Sequence, residues 1–301
     1  MGSEPNLTLT GRFTYHEYQN LLFNQSLNFT TMAILKKSIL QIEGTMGNVS
    51  MYRMHGTDKI VVRMKGGPTK EQIMTKPQFK KLRQNNSEWT GCTLMGSMIR
   101  SSFKVMNRLE DYAVTGALNA ICKEVQKFDT ENEQGKRTIR LSQHKSVMSG
   151  FPFSKKQVLE SVLRVPFETS IDRQFGKAEI HIPEMNADMY LYNFRKLPYY
   201  RIVTCLCGVG DMLISKDGKS YEYPFTGYCN DKLGVFESVW LPTLGIQPPM
   251  NINLECPIEE GPIPDEVTLL LCVGIEFGKP GAGNIITGVK YAGTGKIVKV
   301  G

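Results

Sequence analysis

From residue 151 onwards the chain is a succession of short apolar segments separated by turns rich in glycine. Such spacing is typical of β-strands. The clearest turn is Lys-Asp-Gly-Lys at residues 216–219, because Asp-Gly favours a tight hairpin. We therefore predict an antiparallel β-sandwich-like domain. The predicted strands span residues 162–171, 177–182, 200–209, 212–215, 220–223, 235–241, 251–255, 267–277, 285–291 and 296–300.

Residues 32–150 predict a different arrangement. Segments 34–43, 49–54 and 59–64 are predicted to form a β-meander, with glycines at the turns after residue 43 and at Gly56. A first helix begins near Pro77, with Phe79, Leu82 and Trp89 among its buried positions. A second helix carries an apolar stripe that includes Val114, Leu118, Ile121, Val125 and Phe128. The fold class is α+β, with a basic module at 32–150 and a β-rich domain at 151–301.

Residues 1–31 differ in composition from the rest of the chain. They are rich in Asn and Thr and contain one Arg and two Glu. We interpret this segment as a flexible arm or as a spurious extension ahead of a start at Met32. It lacks the basic start and apolar middle of a secretory signal, and no apolar run in the chain is long enough to span a bilayer. Seven scattered cysteines then favour a reduced, cytoplasmic protein.

Motifs for chemistry are weak throughout the sequence. Gly295-Lys296 is followed by Ile297, whereas a phosphate loop requires Ser or Thr at that position. Cys205 and Cys207 share one strand face. A structural zinc site requires further ligands, so the favoured interpretation is that both are buried thiols. None of the four histidines lies next to a nucleophile motif. We predict no catalytic, cofactor-binding or metal-binding residues, and a protein that is not an enzyme.

Charge is distributed unevenly along the chain. Residues 32–150 hold 20 Lys and Arg against 10 Asp and Glu, while residues 151–301 hold 15 against 17. A one-sided positive field attracts anionic surfaces. The predicted partner-binding residues are Arg63, Lys65, Lys76, Lys80, Lys81, Arg83 and Trp89.

Three functions are compatible with this pattern. The leading hypothesis is a structural or assembly protein whose basic module engages partner copies or another macromolecule. The second is a nucleic-acid-binding protein that uses the same cations, with Trp89 stacking on a base. The third is a ligand-binding β-domain that uses the tyrosine-rich segment 190–200. The competing interpretation of the basic segment is the solvated face of an amphipathic helix.

Residues 34–103 also resemble a known family. The resemblance is carried by Ile-Glu-Gly-Thr-Met-Gly at 42–47, Val-Val-Arg-Met-Lys-Gly-Gly-Pro at 61–68 and Arg-Gln-Asn-Asn-Ser-Glu-Trp at 83–89. Gly-Phe-Pro-Phe at 150–153 extends it. These segments resemble a family of uncharacterised proteins common in Bacteroidetes. The resemblance implies a bacterial, β-rich protein that begins near Met32, and it implies no particular activity.

Overall fold

The computed structural model describes residues 32–35, 43–64, 66–225, 234–256 and 262–301. It combines helices with antiparallel sheets, which confirms the α+β class. Its contacts divide the chain into two compact units between Ile73 and Met74. The segment 1–31, the start at Met32 that was inferred from it, and Lys65 all depend on residues outside the described ranges.

The first unit contains a four-stranded antiparallel sheet. Its strands are β1 (Met32–Leu35), β2 (Gly44–Met46), β3 (Val49–Arg53) and β4 (Ile60–Met64), in the order β1-β4-β3-β2. Strands β3 and β4 confirm the predicted segments 49–54 and 59–64. Most of the predicted segment 34–43 lies outside the described residues, and β2 begins at the glycine where that segment was expected to end. Helix α1 (Lys70–Thr75) is preceded by Thr69, whose side chain and backbone exchange hydrogen bonds with Gln72 and so satisfy helix-end groups.

The second unit contains the long helices. Helix α2 spans Lys80–Ser102, helix α3 spans Val114–Lys127, and α4 (Leu159–Val162) and α5 (Ala187–Tyr190) are single turns. The predicted second helix is thus confirmed almost to the residue. The predicted first helix is interrupted, because 3-10 turns at Pro77–Phe79 and Lys104–Leu109 flank α2.

Two long strands form the centre of the second unit. Strand β8 (Tyr199–Gly210) pairs with β15 (Val267–Pro280) over their whole common length, and both are buried on both faces. The shorter strands β11 (Val235–Glu237), β12 (Leu241–Pro242), β16 (Ile286–Gly288) and β17 (Thr294–Val300) complete this main sheet. A separate three-stranded sheet has the order β14-β6-β5, from Met250–Glu255, Lys177–Ile182 and Glu168–Asp172. The remaining strands are short: β7 (Met185–Asn186), β9 (Leu213–Ile214), β10 (Tyr221–Glu222) and β13 (Ile246–Gln247).

The main sheet is covered by a different layer on each face. The residues of β8 on the same strand face as Cys205, such as Val203 and Val209, meet α2, α3 and the 3-10 turns in one apolar core. Residues of the opposite parity, such as Ile202 and Leu206, meet the three-stranded sheet in a second core. Because side chains alternate across a strand, one pair of strands serves both cores, and the unit has three layers.

This layering changes the predicted boundary between modules. The sequence placed the helices with the meander and ended that module at residue 150. In the structure, the helices share a core with β8 and β15, and they belong to the unit Met74–Gly301. The apolar stripes of α2 and α3 need a large apolar surface, and the main sheet supplies it. Another difference is that the predicted strand 162–171 is shorter in the structure: the helical turn α4 ends at Val162, and strand β5 begins only at Glu168.

Candidate partner-binding surface

The predicted cations at the start of α2 lie on the surface. Lys76, Lys80 and Lys81 are exposed, and no carboxylate within the described part of the chain pairs with them. Lys76 precedes the 3-10 turn, and the other two open the helix, so the three charges lie within about two helical turns. Unpaired cations at this density create a local positive field.

Trp89 lies on the same helix and is half exposed, with 50% of its surface accessible. Leu82 is 39% exposed. Seven residues separate them, close to two full turns, so they lie on one face about 10 Å apart. The prediction that Phe79, Leu82 and Trp89 form a buried face is therefore wrong for Leu82 and Trp89.

The buried face of α2 is formed by smaller residues. Gly91, Cys92, Met95, Gly96 and Ile99 face α3 and the main sheet. Small side chains allow close approach of the neighbouring elements: a Cβ atom on Gly91 would lie 2.6 Å from the ring of Tyr221. The helix is thus rotated so that its glycines face inward and its tryptophan faces outward.

Three other predicted partner-binding residues have different environments. The guanidinium of Arg83 donates a hydrogen bond to the carbonyl of Lys76 at 3.0 Å, so it ties the 3-10 turn to α2. Arg63 lies on β4 in the first unit, where its guanidinium is 5.4 Å from the ring centre of Tyr52. Lys65 lies outside the described residues. The cations that the structure brings together are Lys76, Lys80, Lys81 and Arg83, with Trp89 further along the helix.

Beneath this surface a buried carboxylate fixes the helix to its neighbours. Glu88 is 1% exposed, and its oxygens accept hydrogen bonds from the backbone of Gly135 at 2.9 Å and from Lys123 at 2.5 Å. Burial acts to raise the pKa of Glu88, but these hydrogen bonds and the positive charges of Lys123 and Arg137 lower it overall. Glu88 therefore holds the outward face of α2 in a fixed orientation.

The opposite side of the unit carries an acidic sheet face. The outward residues of β5, β6 and β14 include four exposed carboxylates and one lysine, a balance of −3 with His181 neutral. Phe175, 60% exposed, stands at the hairpin that joins β5 to β6. We call this surface the acidic sheet face; its carboxylates are Glu168, Asp172, Glu179 and Glu255.

A groove of about 280 Å³ lies beside α3. His144 stacks on Phe128 at its wall, with ring centres 4.5 Å apart. Burial acts to raise the pKa of Asp129, yet hydrogen bonds from Asn132 and Thr138 lower it strongly, so this carboxylate is fully engaged. Among the described residues, those that line the groove include neither a serine nor a cysteine. The groove thus has an imidazole but no thiol or serine nucleophile beside it.

The tyrosine-rich segment 190–200 is divided between surface and core. Tyr190 and Tyr192 are partly exposed, and Arg164 lies over the Tyr192 ring at 5.2 Å. Tyr200 is buried and lines an apolar pocket of about 90 Å³ together with Pro248 and Pro249. Sites for drug-sized ligands are typically about 300 Å³ or larger, so this pocket is well below the size of such a site.

Metal-ligating side chains come together at one place among the described residues. Cys205, Cys207 and Cys272 place their sulfur atoms within 4.8 Å of one another. The first two were visible as a pair in the sequence. The third was missed, because its proximity depends on the register between β8 and β15.

Comparisons with known proteins give no match to a family model, to a curated protein or to a solved structure. The resemblance to the Bacteroidetes family stays a prediction. Among the residues that the structure describes, no helix combines the length and apolarity needed to cross a bilayer.

Proposed function

We propose that this protein is a non-enzymatic assembly protein whose α2 surface docks onto the acidic sheet face of a second copy. The observation that carries the proposal is the outward position of Leu82 and Trp89 on a helix that begins near the unpaired cations Lys76, Lys80 and Lys81. A partly exposed tryptophan supports this proposal, because tryptophan is among the residues most enriched in protein-binding hot spots.

Charge and size support a second copy as the partner. The three lysines carry +3, and the acidic sheet face carries −3. Three strands span about 10 Å, and the four residue steps from Glu168 to Asp172 span about 14 Å. The stretch from Lys81 to Trp89 spans about 12 Å. Phe175 offers an aromatic contact for Trp89 at the edge of that face.

The two surfaces lie on opposite sides of the unit. The helices cover one face of the main sheet, and the three-stranded sheet covers the other. A contact between unlike surfaces is heterologous, and it leads to a closed ring or an open filament rather than to a two-fold dimer. The proposed assembly is therefore head-to-tail.

Nucleic acid fits this surface less well than protein. Only four of the predicted cations lie together, and Arg83 is already bonded within the fold. Proteins that bind duplexes commonly contact about six to ten phosphates. The apolar pair of Leu82 and Trp89 also favours a protein surface.

The test is sedimentation and light scattering over a range of protein concentrations at low salt. We expect the wild type to form multimers. The variant K80E/K81E should remain monomeric, and so should the variant E168K/E179K. A mixture of the two should assemble again, because each then offers the charge that the other lacks. The control K279E/K290E changes the same amount of charge at exposed positions of β15 and of the loop between β16 and β17, and should assemble like the wild type.

Two results would overturn the proposal. One is a wild type that stays monomeric at every concentration tested. The other is assembly that neither variant alters. If the monomer instead binds a labelled oligonucleotide with steep salt dependence, and K80E/K81E abolishes that binding, the nucleic-acid function replaces the assembly function.

A further inference from the structure

The sheet register brings three cysteines onto one face of the main sheet. Cys205 and Cys207 alternate along β8 and therefore project to the same side. Cys272 stands directly opposite Cys205 on β15. Their sulfur atoms lie within 4.8 Å of one another, and each residue is at most 1% exposed. Three thiols thus converge in the core beneath α2.

Their spacing suits a metal ion bound in a plane. A metal–sulfur bond of about 2.3 Å places three sulfur atoms about 4.0 Å apart around a trigonal centre. The observed limit of 4.8 Å is reached from that geometry by small side-chain movements. No disulfide joins these cysteines, so all three sulfurs are available as ligands.

The ligand set distinguishes between metals. Structural zinc takes four ligands, and among the described residues no histidine or carboxylate joins the three thiols. Three soft thiolates with neither a carboxylate nor an imidazole beside them among the described residues suit Cu(I).

We propose that Cys205, Cys207 and Cys272 form a three-coordinate site for Cu(I). Because the sulfurs are enclosed between α2 and the main sheet, the ion enters while the chain folds, and its binding adds to folding stability.

The site is tested by refolding the full chain without oxygen in the presence of Cu(I) held as its acetonitrile complex. After removal of excess metal, we expect one copper per chain, three sulfur neighbours in X-ray absorption, and a higher melting temperature than the metal-free chain. Refolding with Zn(II) should give little retained metal. A chain that retains zinc but no copper, or retains neither, would overturn the proposal.

Variants then locate the ion. Cys207→Ala and Cys272→Ala should each lose the copper. The matched control is Cys122→Ala, since Cys122 is equally buried in the same core but outside the cluster. This control should retain the copper. Copper retained by both cluster variants would contradict the assignment. If alanine prevents folding, the sulfur count in the wild-type X-ray spectrum decides the question.

The inference is independent of the assembly proposal. The three cysteines are buried, whereas assembly uses exposed residues on two surfaces. Failure of copper binding would leave the charge-swap result unchanged, and failure of assembly would leave the copper content unchanged.

Discussion

At the scale of single residues, Glu88 decides how α2 is oriented. Its carboxylate is buried, and it holds the backbone of Gly135 and the ammonium of Lys123. Gln126 donates to the Glu88 carbonyl at 3.3 Å and to the Tyr221 hydroxyl at 3.1 Å. If a buried charge is removed, its former partners are left buried without a counter-charge. The resulting loss of folding free energy is larger than the net stabilisation from the ion pair itself. Because Glu88 faces inward, the adjacent Trp89 faces solvent.

Replacing the carboxylate tests this role. We expect E88Q to lower the free energy of unfolding by about 3 kcal/mol at pH 7. The control is E124Q on α3, whose ion pair with Lys127 is exposed and should matter by less than about 1 kcal/mol. Both values come from denaturant unfolding. Equal effects of the two substitutions would contradict the role of Glu88.

The same residue predicts a pH dependence. The pKa of Glu88 is lower in the folded chain than its ordinary value, so its ionised form stabilises the fold above the unfolded pKa of about 4.3. This contribution disappears as the pH falls through the folded value. We expect wild-type stability to decline on acidification more steeply than that of E88Q. Parallel curves for the two proteins would contradict the assignment.

At the scale of elements, α2 shows what the sequence could and could not predict. The stripe of α3 from Val114 to Val125 was sufficient to place that helix, because its apolar side chains all face one core. In α2, Leu82 and Trp89 were placed among the buried positions. The structure instead buries Gly91 and Gly96, because close approach to Tyr221 and Asn119 requires glycine. A three-residue spacing identifies a helix, but the shape of its neighbours decides which face is buried.

A pair of glycine substitutions tests this explanation. Alanine normally stabilises a helix by about 1 kcal/mol relative to glycine. Gly91→Ala should do the opposite and destabilise by about 1 to 3 kcal/mol. Its Cβ would collide with the Tyr221 ring, whose hydroxyl is bound to Arg137 and Gln126. The control, Gly116→Ala on α3, has open space around it and should be neutral or stabilising. Thermal unfolding measures both.

At the scale of the whole molecule, the main sheet joins parts that the sequence assigned to separate modules. Most strands after residue 176 were predicted close to their observed positions, because each is a short apolar run between turns. Their partners were not predicted, since pairing of β8 with β15 is a long-range property. The same limit applies to the third cysteine of the thiol cluster and to the acidic sheet face. Local sequence patterns are enough to predict helices and strands, but the residues that come together in a site depend on the register of strand pairing.

Truncated proteins test whether the boundary lies between residues 73 and 74, as in the structure, or at residue 150, as predicted from the sequence. A protein of residues 74–301 contains both cores of the second unit, so we expect a single cooperative melting transition. A protein of residues 151–301 lacks the helices that cover Cys205, Val209 and Leu270. We expect it to aggregate or to bind hydrophobic dyes without cooperative melting. A well-folded 151–301 protein would restore the boundary predicted from the sequence.

The order of the layers along the chain has a consequence for biosynthesis. Helices α2 and α3 leave the ribosome early, yet the surface that covers their apolar side includes Leu270, Cys272 and Ile297. Until those residues have been translated, that side faces water. Nascent chains with such surfaces are prone to associate wrongly. We therefore expect the growing polypeptide to depend on chaperones for most of its synthesis, and to become independent of them only when its final strands are added.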